Sequence, residues 1–214
     1  MPARKELLDQ PGDEWDATAA PIRSFIPLIG KWGFTDDTLF YEMPTDPVSP
    51  VGVAIGPIVF HRGAINARVE FKNRLLHPDD YDWAARVIIG YDLDSGSYYS
   101  IGIGGYGFAF VIDRFIRGEG WRAIRGVGAA ANLTDTHYDI CVQLIGQRVT
   151  LSCSDTSVLS AILPAPLNTF QTGLFAWGKS SIRFADIRYR IIRPKAFLIM
   201  SFSNAHEKLS RLSP

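Results

Sequence analysis

The residues best able to do chemistry fall into small groups, and each must be weighed against the elements around it. Gly102, Gly104 and Gly107 match the spacing of a dinucleotide-binding turn. Such a turn works by opening a helix, whose first N–H groups and dipole meet the pyrophosphate. Here the next residues are Phe108-Ala109-Phe110-Val111-Ile112, with the two-residue period of a strand, and no acidic residue stands about 20 positions on to hold a ribose. The glycines therefore read as a turn between strands. Asp92, Asp94 and Gly96 resemble the start of a calcium loop, yet Ser97-Tyr98-Tyr99 stand where more oxygen ligands belong. They read as a hairpin turn, with a weak cation site as the alternative. The four histidines, His61, His77, His137 and His206, lack metal-ligand spacing, and no Ser-His-Asp arrangement or phosphate loop can be read. No cofactor and no metal is expected.

The elements that must position any site are strands. From Leu28 to Ile192 short β-type runs alternate with turn residues, among them Asp36-Asp37, Asp92 to Gly96, Gly118-Glu119-Gly120 and Gly146-Gln147. Leu28–Phe34 is predicted as one strand and Trp121–Arg125 as another. Alternation assigns the faces. Val69 and Phe71 oppose Arg68 and Glu70; Val87 and Ile89 oppose Arg86; Tyr99, Ile101 and Ile103 oppose Tyr98 and Ser100. The polar sides, taken together, give a candidate ligand surface of Arg68, Glu70, Arg86, Tyr98 and Ser100. The same mixture also describes a solvated outer sheet face. Trp32, Trp83, Trp121 and Trp177 include candidates for a stacking platform, although strand aromatics more often belong to a core. Trp121 is the one favoured, because it comes directly after the Gly118–Gly120 turn and so can sit at a rim.

Composition removes several function classes. Lysine plus arginine balances aspartate plus glutamate, 22 against 22, which removes the electrostatic case for a nucleic-acid or membrane-surface protein. No run of about 18 apolar residues could span a bilayer. The N-terminus lacks the apolar core of a signal peptide, so the cytoplasm is the default compartment. At 214 residues the chain can bury a core without disulfides or metal. Cys141 and Cys153 fall in a hairpin, Tyr138–Leu144 and Val149–Cys153, whose turn pairs Ile140 with Cys153 and so points Cys141 to the other face. Two unbridged thiols are expected.

A family resemblance emerges from several of these runs. Gly30-Lys31-Trp32, Ala67-Arg68-Val69-Glu70-Phe71, Tyr98-Tyr99-Ser100-Ile101-Gly102 and Tyr138-Asp139-Ile140-Cys141-Val142 resemble the concanavalin A-like lectin/glucanase superfamily. So do Gly146-Gln147-Arg148-Val149-Thr150-Leu151, Gly173-Leu174-Phe175-Ala176-Trp177-Gly178 and Phe184-Ala185-Asp186-Ile187, in the style of laminin G-like and 3-keto-disaccharide hydrolase-like members. The resemblance implies an all-β, two-sheet antiparallel jelly-roll sandwich with any ligand on a concave face or rim loops. The superfamily's retaining glucanases carry a Glu-x-Asp-x-(x)-Glu strand motif that this chain lacks. A glycosidase needs two carboxylates across the scissile bond, and Glu70 is the one acid placed on the candidate surface, where Arg68 or Arg86 is its expected partner.

The C-terminus departs from the pattern. Lys195-Ala196-Phe197-Leu198-Ile199-Met200 is a continuous apolar run, and Asn204 with Glu207 resembles a helix cap. Residues 193–203 resemble the opening strand of Toll/interleukin-1 receptor-like and nucleoside deoxyribosyltransferase-like domains of bacterial regulatory proteins. The organisation expected is a polar flexible leader over 1–22, a sandwich over 23–192 and a tail over 193–214 that begins an α/β effector domain or docks on the sandwich. The function expected is non-catalytic recognition, as a sensor or adaptor module, of a carbohydrate-like or nucleotide-like small molecule or a protein partner. A hydrolase or lyase using Glu70 and an oligomerisation module are the alternatives.

Overall fold

Where apolar residues alternate, a strand can hide one face, and this chain repeats that solution along its length. The computed structural model describes residues 15–42, 50–71, 83–133, 136–178 and 181–192. In chain order the strands are β1 (Trp15–Ala19), β2 (Ile26–Ile29), β3 (Lys31–Phe34), β4 (Thr38–Glu42) and β5 (Val51–Val59). Next come β6 (Arg62–Phe71), β7 (Trp83–Ile89), β8 (Tyr98–Ile103), β9 (Phe108–Ile116) and β10 (Gly120–Ala129). The last are β11 (His137–Ile145), β12 (Arg148–Cys153), β13 (Thr156–Ile162), β14 (Gln171–Gly178) and β15 (Ile182–Ile192). Among the described residues no helix is long and apolar enough to cross a membrane.

The strands form two antiparallel sheets, the jelly-roll sandwich that the sequence predicts. One sheet has eight strands in the order β13-β12-β11-β6-β15-β4-β3, with β1 also paired to β15. The other has seven, in the order β10-β9-β8-β7-β14-β5-β2. The β11–β12 hairpin takes the expected register: Ile140 faces Cys153, Val142 faces Leu151 and Leu144 faces Val149. No disulfide joins Cys141 to Cys153. Burial pushes the Cys141 thiol above its ordinary value, against the opposing charge of Arg190.

Three boundaries differ from the sequence reading. Trp15–Ala19, within the stretch read as a leader, forms β1 and pairs with Arg188–Ile192 of β15. The run Leu28–Phe34 breaks at Gly30, so that β2 joins the seven-stranded sheet and β3 the eight-stranded one. Gly30 makes this crossing with φ of 79°, and a Cβ there would lie 2.6 Å from the Val51 carbonyl oxygen, which no side chain tolerates. The strand expected over Trp121–Arg125 continues to Ala129 past a bulge between Ala123 and Arg125. The segment 193–214, read as a possible opening of an α/β domain, lies outside the described residues.

The inner faces meet in one apolar core. Ile65, Val69, Val142, Leu151 and Phe184 of the eight-stranded sheet pack toward Val87, Ile101, Ile103 and Leu174 of the other. Each such side chain, fully buried, contributes roughly 1.5–3 kcal/mol. A bulge keeps β15 facing this core. Ile182 and Phe184 point inward, and so do Ile187 and Tyr189, although a strict two-residue period would turn the second pair outward. The extra residue lies between Ala185 and Arg188, where the register with β6 shifts, and Asp186 absorbs it at φ of 51°. A β-branched side chain at that φ is strained by roughly 1–2 kcal/mol. Asp186→Val should therefore lower the urea unfolding midpoint, while Asp186→Gly, which loses only an exposed ion pair to Arg68, should stay within about 1 kcal/mol of the parent. Equal stability of the two variants would show that the bulge does not depend on a left-handed residue at 186.

Candidate functional site

The outer face of the seven-stranded sheet carries a second apolar cluster: Val53, Ile55, Ala84, Ile88, Tyr91, Tyr98 and Phe175, with Phe115, Trp121 and Trp177 packed against it. A sheet face that looked onto water along its whole length would carry polar residues here. In the middle of these apolar residues sit a guanidinium and a carboxylate. Arg86 of β7 is 3 % exposed and Asp113 of β9 is fully buried.

Register brings the two together. β8 runs between β7 and β9, with Ser100 opposite Asp113 on one side and opposite Ile88 on the other, while Arg86 is opposite Gly102. Arg86 Nη1 donates to Asp113 Oδ2 and, at 3.1 Å, to Ser100 Oγ; the Ser100 hydroxyl in turn donates to Asp113 Oδ1. Arg86 Nε and Nη2 both donate to the Gly104 carbonyl, at 3.1 and 2.5 Å. The guanidinium also lies 5.5 Å from the Phe175 ring centroid and 5.9 Å from that of Tyr106, within cation–π range. Two desolvated charges are thus paired and hydrogen-bonded, the condition under which burial is tolerated.

The turn from β8 to β9 supplies the rim. Gly104, Gly105, Tyr106 and Gly107 all have positive φ, at 77°, 109°, 55° and 75°. This is the glycine-rich segment that only superficially matches a dinucleotide motif. A Cβ at Gly105 would stand 1.9 Å from Arg86 Nη2, so a side chain there would push the guanidinium from its place, and its φ of 109° also favours glycine. Tyr106 is the exception, a bulky residue in a left-handed conformation. Partial burial and the charge of Asp113 push its hydroxyl up to about 12, with Arg86 opposing, so it stays a neutral phenol.

Between this turn and the aromatic cluster lies a pocket of about 240 Å³. Trp83, Trp121, Phe175, Trp177 and Tyr106 form its walls, and Arg86 with Asp113 lies at its polar end.

Six residues are candidates on sequence, and the structure divides them. Arg86 and Trp121 line the pocket. Tyr98 and Ser100 share the same sheet face but lie beneath it. Tyr98 is 4 % exposed, its ring 5.5 Å from Tyr91, 5.3 Å from Phe115 and 5.7 Å from Trp121. Burial first, then Asp113 and Tyr91, raises its phenol well above the ordinary value. Arg68 and Glu70 belong to β6 and stand on the outer face of the eight-stranded sheet, so the single surface drawn from the sequence does not form. There Arg68 pairs with Asp139 and Asp186, at 2.9 and 3.3 Å, and Glu70 stands between His137 and Arg183 in register. The partner expected for Glu70 is thus engaged elsewhere in both cases. Asp113, Tyr106 and Phe175 join the site without having been singled out by sequence. The signal for Asp113 is a carboxylate interrupting the apolar run Phe108–Phe115.

The chain is similar in fold to a carbohydrate-binding module. The CBM66 carbohydrate-binding module from Bacillus subtilis aligns with a TM-score of 0.62 at 13% identity, covering 79% of this chain and 96% of that one. A Bacillus subtilis protein of unknown function with a galectin-like fold aligns at 0.54 and 11% identity, over 84% and 100% of the two chains. A Bacillus licheniformis beta-glucanase aligns at 0.52 and 8% identity, over 86% and 100%. At these identities the likeness is one of fold, and it agrees with the concanavalin A-like jelly roll expected from the sequence. No protein family and no curated protein sequence matches the chain.

Away from the pocket, the Asp92–Gly96 segment is built as a hairpin turn. Asp92 Oδ1 accepts from the backbone N–H groups of Asp94 and Ser95, at 3.0 and 3.3 Å, and the Asp92 N–H donates to the Ser97 carbonyl. The Ser95 side chain and these backbone bonds hold the Asp92 carboxyl below its usual range.

The pair at the polar end of the pocket gives a direct test. Asp113→Ala leaves a buried guanidinium without its counter-charge, and should destabilise the domain by about 3–5 kcal/mol. Replacing both charges with apolar residues, Arg86→Met with Asp113→Leu, should recover much of that loss. Guanidinium chloride unfolding of the two variants measures both effects. A double variant no more stable than the single one would show that the loss does not come from an unpaired buried charge.

Proposed function

We propose that this domain binds a carbohydrate ring in the pocket on the outer face of its seven-stranded sheet, between Tyr106 of the rim turn and Trp121 and Trp177. The observation that carries the reading is a built polar centre inside an aromatic enclosure: Arg86 fixed by Asp113, Ser100 and the Gly104 carbonyl, at the end of a pocket walled by aromatic rings. A sugar ring has an apolar C–H face and a polar rim. Aromatic walls accept the first, and a few convergent polar groups orient the second. The names of the neighbours in fold, a carbohydrate-binding module and a beta-glucanase, support the same ligand class.

The hydrolase alternative uses Glu70 with neighbouring polar residues of one surface, and Arg86, Tyr98 and Ser100 of that surface stand on the other sheet. In the pocket the carboxylate is Asp113, fully buried and engaged by Arg86 and Ser100, which leaves it no path to a scissile bond. Recognition without chemistry is therefore the reading taken for this domain, as the sensing part of a larger assembly.

Tyr106 provides the sharpest variant. Glycine at 106 would relieve its left-handed backbone, so a tyrosine there must contribute through its side chain. Tyr106→Gly trades relief of the left-handed backbone against loss of the ring near Arg86, so the domain should stay folded while glycan binding weakens. Trp177→Ala should weaken it about tenfold or more, the equivalent of one large apolar contact. Isothermal titration against a glycan panel, with thermal melts as folding controls, reads both. Binding unchanged in both folded variants would move the ligand away from this pocket.

A further inference from the structure

The hydrogen-bonding character of the pocket narrows the ligand more than its shape does, and the narrower class rests on the carbohydrate reading. A guanidinium has five N–H groups. Those of Arg86 go to Gly104 from Nε and Nη2, and to Ser100 and Asp113 from Nη1, which leaves one Nη2 N–H without a partner among the described residues. Trp121 and Trp177 also line the pocket, and neither indole N–H meets an acceptor among the described residues. All three groups can only donate.

The acceptor side is different. Asp113 is fully buried, and its two oxygens receive Arg86 and Ser100. It neutralises the guanidinium from below without offering an accessible oxygen to a ligand. An ordinary sugar hydroxyl both gives and takes a hydrogen bond, so against these three donors it uses only half its capacity, and the Tyr106 phenol is the lining side chain left to accept its proton. A carboxylate is an acceptor alone, and its bonds to charged donors are the stronger kind.

An aromatic enclosure often implies a cation, since ring faces attract positive charge. Here Tyr106 and Phe175 already have a cation within range, the guanidinium of Arg86 at 5.9 and 5.5 Å. An ammonium group entering the pocket would meet donors and an existing positive charge.

We infer that the pocket takes an acidic sugar, one whose ring carries a carboxylate that accepts from Arg86 Nη2 and from an indole N–H, while the C–H face rests on Trp121 or Trp177. The test uses the unaltered protein, because substituting Arg86 exposes Asp113 to the same folding penalty. Methyl glycosides of a uronic acid, its neutral hexose and the matching 2-amino sugar are titrated calorimetrically in the gluco and galacto series. The uronate should bind about tenfold tighter or more than the neutral sugar, and the amino sugar should bind weakest. The uronate should also shift the Trp121 and Trp177 indole N–H resonances, assigned by Trp→Phe substitution. If the neutral sugar matches the uronate and both are lost in Trp177→Ala, the carboxylate assignment is wrong while the carbohydrate reading stands. If the amino sugar binds tightest, the pocket is a cation cage and the assignment is again wrong. If no sugar of either series binds, the carbohydrate reading falls with it.

Discussion

A guanidinium and a carboxylate removed from water cost several kcal/mol each unless they find one another and fill their remaining hydrogen bonds. Much of the outer face of the seven-stranded sheet is arranged around meeting that condition for Arg86 and Asp113. Ser100 sits between the strands that carry them and bonds to both. The Gly104 carbonyl accepts from the guanidinium, which obliges the chain to turn tightly above it, and Gly105 keeps that turn free of a side chain. Phe175 and Tyr106 hold ring faces within cation–π range of the guanidinium, and Tyr98, Phe115 and Trp121 pack against one another beside it. The pocket is the space left over when these demands have been met.

The sandwich has two apolar cores of unequal kind. The inner one is continuous and asks only for volume and alternation. The outer one is small, rich in aromatics and holds a charged pair, so its geometry is fixed by directional bonds as well as by packing. Rigid positioning of a few polar groups among rings suits recognition of a small polar ligand better than a uniformly apolar surface would.

Much of this is legible in the residues, because strand periodicity is a local property. The faces of β6, β7 and β8 agree with alternation, and the turn Gly146-Gln147 settles the β11–β12 register to the residue. Assembly is where the residues mislead. β6 and β7 are successive strands whose polar faces join into one surface on paper, but the chain changes sheets between them. Alternation says which residues share a side of a strand and nothing about which sheet that strand enters. The separation of Arg68 and Glu70 from Arg86, Tyr98 and Ser100 traces to this. Asp113 is within reach of sequence: a hairpin closing at Gly104–Gly107 sets Ser100 opposite it, and a carboxylate in an apolar run demands a counter-charge. Gly30 is hidden for the opposite reason, because a single glycine inside a strand-like run gives no local sign of a crossing between layers.

β15 has a consequence for how the protein comes into being. One edge of this strand pairs with β6, and the other holds β4 and β1. A chain synthesised from its N-terminus releases β1, β4 and β6 early, and β6 meets β15 only on the order of a hundred residues later. Until then β6 presents an unsatisfied backbone edge, the kind of surface on which nascent chains mispair. The hairpins β8–β9 and β11–β12 need no such wait and can close as they emerge. Ribosomal output of this domain would thus pass through a long interval in which local hairpins exist but the eight-stranded sheet does not, an interval in which a chaperone has an open strand to hold.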